Sequence, residues 1–86
     1  MDLPNFRQQI DKIDEQILHL FKERMKVSRQ IAFYKKAYNV PILDAAREQE
    51  KLAEINKKSE EELRPYVHKL FSTLIEISRT YQGSIE

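Results

Sequence analysis

Apolar side chains along the first part of the chain keep a strict 4-3 rhythm. Phe6, Ile10, Ile13, Ile17, Leu20, Val27, Ile31, Tyr34 and Tyr38 follow at steps of four and three, and Arg24 fills the step between Leu20 and Val27. This is a heptad seam, and it predicts one helix over about residues 4–38. Asp2 or Asn5 can cap its start, and Pro4 is tolerated in a first turn. The helix should stop before Asn39-Val40-Pro41, because the residue ahead of a proline disfavours the αR conformation. Such a helix is ~50 Å long. A compact monomer of 86 residues has a radius of gyration near ~12 Å. The helix outreaches such a globule, so a second copy of the chain is expected to bury its overhang.

A second, weakly apolar helix follows the Pro41 loop. Asp44 is its N-cap or first-turn acid, and Ala45, Leu52 and Ile55 give it a thin stripe that should rest on the other helices. Lys57-Lys58-Ser59 forms the next break. Ser59 and Glu62 have capping-box spacing, while Pro65 suits a first helical turn. A third helix therefore begins between Ser59 and Pro65. It runs on Leu63, Val67, Leu70, Leu74, Ile77 and Tyr81 and ends near Gly83. The expected fold class is all-α: three helices per chain, the first very long, with residues 1–86 as a single domain.

Composition narrows this further. One Gly and three Pro leave no series of tight hairpin turns, so strands are not expected. The balance of 15 basic and 14 acidic residues gives a net charge of +1. Nucleic-acid binding through bulk charge is therefore disfavoured, and any bound anion must be held by a few placed cations. There is no Cys, and His19 and His68 lack metal-ligand spacing, so no metal is expected. No apolar run reaches membrane-spanning length and the N-terminus has no signal-peptide core, so neither a membrane partner nor export is expected. The expected location is the cytoplasm.

The informative positions are polar residues on apolar rows. Arg24 sits in the seam itself; a lone buried guanidinium costs several kcal/mol unless an anion meets it. Read plainly, it snorkels or pairs with a carboxylate such as Asp14 or Glu23 of a partner. Lys35 lies on the same side of the helix, ~16 Å further along. The two could grip a small anion, although a helical Lys usually faces solvent. Asp44, Arg47, Glu48 and Lys51 make one stripe on the second helix, ordinarily a solvated face laced with ion pairs. Phe71, Ile75, Ser78 and Gln82 make a row that turns polar at its C-terminal end, ordinarily a row running out into solvent. Arg7 lies ~26 Å from Arg24 along the axis and cannot share a site with it in one chain. In an antiparallel pair of chains it could.

These residues carry a resemblance. Arg7 with Ile10 and Ile13-Asp14-Glu15, then Glu23-Arg24, Lys35, Pro41-Ile42-Leu43-Asp44, Arg47-Glu48, and Ser78 with Gln82 fall in one order and spacing. In this the chain resembles the all-helical chorismate mutases, intertwined homodimers of three helices per chain, over about residues 5–83. The resemblance implies a cofactor-free rearrangement of chorismate to prephenate in aromatic amino-acid biosynthesis. It implies that Arg24, with Arg7 from the other chain, holds the two substrate carboxylates. Lys35 would reach a carboxylate and the ether oxygen, and Gln82 would donate to that same oxygen. Glu48 would accept from the ring hydroxyl with Asp44 nearby, Ser78 would assist a carboxylate, and Arg47 would offset Glu48. Two other readings stand beside it. One is an isochorismate pyruvate-lyase on the same scaffold, although such relatives tend to lack the acidic contacts and the Ser. The other is a non-enzymatic helical interaction module, which gives no reason for Arg24 in the seam.

Overall fold

The structure is a computed structural model and describes residues 2–85. It contains α1 (Leu3–Ala37), α2 (Ala45–Lys57) and α3 (Arg64–Ser84), with a 3-10 turn over Glu61–Leu63 leading into α3. There is no strand among the described residues. The all-α expectation holds, and each boundary has a local cause.

Asp2 caps α1: its side chain accepts the Asn5 N–H at 2.9 Å. Asn5 is spent elsewhere, accepting from Gln9 Nε2 at 2.7 Å. The far end closes as a Schellman turn. The Val40 N–H reaches the Lys35 carbonyl at 2.8 Å and the Asn39 N–H reaches Lys36 at 3.5 Å. Asn39 supplies the left-handed residue this turn needs, with φ 55°. The chain then doubles back through Pro41-Ile42-Leu43, and Asp44 caps α2 by accepting the Arg47 N–H at 3.0 Å.

α3 begins at Arg64, within the expected window from Ser59 to Pro65, but the capping at the joint differs from its expectation. Ser59 forms no capping box; its hydroxyl donates back to the Ile55 carbonyl at 2.7 Å. Ser59 thus closes α2 instead of opening α3. Arg64 fastens the joint, its Nε donating to the carbonyls of Asn56 and Ser59 at 3.1 Å each. Those carbonyls cluster at the C-terminal end of α2, where the Asn56 carbonyl also takes the Ser59 N–H at 3.2 Å, and a cation is well placed there. Pro65 lies in the first turn of α3.

α3 packs against α1 on one side and α2 on the other. Only the C-terminal half of α1 takes part; residues 3–20 are all exposed. The heptad seam is not the row that faces α3. Ile10, Ile17, Leu20 and Val27 remain 55%, 57%, 64% and 50% exposed, while Ser28 and Ala32, one step round the helix, are buried. On α3 the same shift occurs: Leu63 and Leu70 of the heptad row are exposed, and the Phe71–Ile75–Ser78–Gln82 row turns inward. The reading of that row as running out into solvent is corrected. Its polar end, Ser78 and Gln82, is its most buried part, because α1 lies across it.

The result is an elongated chain of 55 × 27 × 15 Å with a radius of gyration of 16.1 Å. It exposes 7333 Å², against about 5,400 Å² for a compact monomer of this mass. The excess is largely the apolar seam of α1, which nothing among the described residues covers. No helix among the described residues is long and apolar enough to cross a membrane.

Candidate active site

A cleft of about 240 Å³ opens where the C-terminal half of α1, the start of α2 and the end of α3 meet. Arg24, Lys35, Asp44, Arg47, Glu48, Ser78 and Gln82 all line it, between apolar walls made by Ile31, Ile42 and Ile75. Residues up to 58 positions apart, from Arg24 to Gln82, thus converge on one space. A second hollow on the α1 side shares Arg24, Ile31, Ser78 and Gln82 and adds Ser28.

Arg24 is positioned by α3. Its Nη1 donates to the Leu74 carbonyl at 3.2 Å and to the Ser78 hydroxyl. Partial burial pushes its pKa below the ordinary arginine value, yet a guanidinium stays charged throughout the neutral range. No carboxylate pairs with it among the described residues. Its charge is therefore open to an incoming anion. Lys35 points back along the cleft, its Nζ donating to the Ile42 carbonyl at 2.8 Å. That bond ties the α1–α2 loop to the helix and keeps the ammonium at the cleft edge.

The acids lie on the α2 side. Asp44 spends one oxygen on the cap of α2. Glu48 is gripped by Arg79, whose Nη1 lies 2.7 Å from Oε1 and 2.9 Å from Oε2. This corrects the expectation that Arg47 offsets Glu48. Arg47 lines the cleft, but its Nη1 reaches out to Glu50 at 3.4 Å, an exposed pair one turn further along the same helix. One helical step separates Arg47 from Glu48, so the two diverge around α2, whereas α3 presents Arg79 directly to Glu48.

Gln82 is 8% exposed and its Nε2 donates to the Ser28 hydroxyl at 3.0 Å. Ser28 is 4% exposed, and its own hydroxyl lies 3.4 Å from the Ser78 carbonyl. Gln82 Oε1 is buried and meets no partner among the described residues.

Arg7 is the predicted residue that the chain does not bring to the cleft. It is exposed on the overhang of α1, about 26 Å along the axis from Arg24. Sequence reasoning missed Arg79 and the lining role of Lys51 in the cleft, and Ser28 in the hollow beside it. Each carried a faint signal. Ser28 stands four residues after Arg24 and seven before Lys35; Arg79 stands three before Gln82; Lys51 continues the Arg47–Glu48 stripe.

Fold and cleft first define a class: an all-helical protein with a small, cation-rich pocket, acidic on one side, fit for a compact carboxylated ligand bearing a hydroxyl. The type II chorismate mutase family model matches residues 6–83, and the chain belongs to that family. Curated relatives agree. The chain is 40% identical over 60 residues, 66% of its length, to the bifunctional chorismate mutase/prephenate dehydratase of Aquifex aeolicus. It is 39% identical over 80 residues, 90% of its length, to the protein of the same name from Buchnera aphidicola subsp. Schizaphis graminum. The chain spans 17% and 20% of those two proteins. No solved structure matches it significantly.

Proposed function

We propose that the chain is a homodimeric, cytoplasmic chorismate mutase that converts chorismate to prephenate. The observation that carries this reading is the convergence of Arg24, Lys35 and Gln82 on one cleft, with Glu48 facing them across it. The reaction is an internal rearrangement: the ether C–O bond breaks while a C–C bond forms within the same molecule. It needs no nucleophile and no external proton. What the protein must supply is a compact substrate conformation and stabilisation of the negative charge that grows on the ether oxygen.

The cleft is suited to both tasks. Arg24 binds one carboxylate, backed by Ser78, which already accepts from it. Arg7 of a second copy binds the other, entering from the overhang that each chain leaves bare. Lys35 and Gln82 donate to the ether oxygen. Glu48 accepts from the ring hydroxyl, held in place by Arg79, with Asp44 nearby; Arg47 adds positive field at the rim. A ~10⁶-fold acceleration requires ~8 kcal/mol of differential stabilisation. Two donors at ~3–4 kcal/mol each nearly supply it.

The test is to follow chorismate disappearance and prephenate formation with the purified chain beside a sizing measurement. Prephenate from a dimer is expected. Release of pyruvate from isochorismate, with no turnover of chorismate, would assign the cleft to the lyase reaction instead.

A further inference from the structure

Gln82 holds two polar atoms in a buried place and only one of them has a partner. The nitrogen end meets the Ser28 hydroxyl at 3.0 Å; the oxygen end meets nothing among the described residues. The two ends of a carboxamide have the same shape, so a half-turn about its last bond exchanges them without moving any neighbour. Ser28 tolerates both arrangements, because a hydroxyl accepts as readily as it donates. In the first it accepts from Nε2 and points its own hydrogen at the Ser78 carbonyl, a long contact of 3.4 Å. In the second it gives up that weak contact and donates to Oε1, and the amide NH₂ takes the unpartnered position.

We propose that Ser28 is a positioning residue: ligand binding turns the Gln82 amide over, and the Ser28 hydroxyl then holds Oε1 so that Nε2 faces the ether oxygen. This rests on the reading of Gln82 as a donor in the rearrangement. The empty cleft and the occupied one ask opposite things of the amide. With no ligand the NH₂ is best satisfied on Ser28. With an acceptor in the cleft, the carbonyl end would repel it and the NH₂ end would bind it. The residue at 28 must serve both states, and among small side chains only a hydroxyl does so. Ala would leave the carbonyl unpaired in the bound state and free to swing away. Burial of both residues, 4% and 8% exposed, keeps water from substituting for either contact.

The reading separates orientation from packing. Ser28→Ala removes one oxygen from a tight helix–helix contact and should fold. Two probes report on the amide: a bicyclic dicarboxylate ether shaped like the rearranging substrate, and the same dicarboxylate with a methylene in place of the ether oxygen. Calorimetry on the intact protein should show the ether binding the unsubstituted chain more tightly than the methylene compound. Ser28→Ala should weaken the ether roughly three- to tenfold, the value of one oriented neutral hydrogen bond, and leave the methylene compound unchanged. In turnover the same variant should lower kcat with little change in KM. If both probes weaken equally, Ser28 is a packing residue and the inference fails. If the ether keeps its full advantage in Ser28→Ala, the amide needs no holder and the inference fails with the parent reading intact. If neither probe binds the unsubstituted chain, the proposed reaction fails and this inference with it.

Discussion

Arg79 reaches from α3 across to α2 and chelates Glu48 through a single guanidinium nitrogen, 2.7 Å from one oxygen and 2.9 Å from the other. The contact places a compensated acid beside the cleft that we propose receives two carboxylates. Glu48 alone would repel such a ligand; paired, it keeps its acceptor lone pairs at lower net charge. The side chains are 39% and 24% exposed, so the pair adds little to stability. Arg79→Met should therefore shift Tm only slightly. It should raise KM for chorismate roughly tenfold, about 1.4 kcal/mol, with a smaller effect on kcat. Steady-state kinetics across salt concentrations checks this, because the added repulsion should shrink as salt rises.

Lys35 performs two tasks, tying down the Ile42 carbonyl and presenting a charge at the cleft. Lys35→Ala removes both, whereas Lys35→Gln retains a donor for Ile42 and loses the charge. Both variants should lose at least ~10² in kcat, the usual value of one oxyanion donor. A change confined to KM would leave Lys35 with ground-state binding alone.

The protein should show a flat kcat/KM profile across neutral pH. Arg24 is lowered by burial but stays cationic there, and the Gln82 amide does not titrate. Gln82→Glu should break this flatness. Burial disfavours the carboxylate, so the new acid would titrate above the usual value of ~4.3. It donates only when protonated, so activity should be highest in acid and fall as pH rises through that raised pKa. Equal activity at pH ~5 and pH ~8 would remove Gln82 from the ether oxygen.

Ile13 and Ile17 lie on the bare seam, 49% and 57% exposed. Ile13→Asp combined with Ile17→Asp should convert a dimer into monomers. Half-burying each isoleucine contributes about 1 kcal/mol, and four such side chains would meet across the proposed two-fold interface. The dimer of the double variant should therefore be weaker by about a thousandfold. Sedimentation should show the smaller species, and chorismate turnover should vanish with it, because Arg7 then never meets Arg24. A fully active monomer would contradict the shared site.

Much of the protein was legible along the chain. Steps of four and three marked α1 and α3, while Asp2 and Pro41 marked the limits of α1 and Asp44 the start of α2, because capping and proline geometry are local. Arg24, Lys35, Ser78 and Gln82 stood out as polar residues on apolar rows. The spacing could not show which row of α1 faces α3. Adjacent rows on one helix differ by a small rotation, and the Phe6–Tyr38 seam is the more apolar of the two. That seam was expected to meet a second copy of the chain, and nothing in the spacing marked Ser28 and Ala32 as the row on which α3 lies.

The sequence by itself determined three helices, their ends, and a set of cations that net charge could not explain. Those features depend on neighbours a few residues away. The tertiary structure alone decided that Arg79, not Arg47, holds Glu48, that Ser59 closes a helix instead of opening one, and that the amide of Gln82 ends against Ser28. Each of these depends on the rotation of one helix against another, which is set by packing between residues tens of positions apart and leaves no periodic trace in either segment.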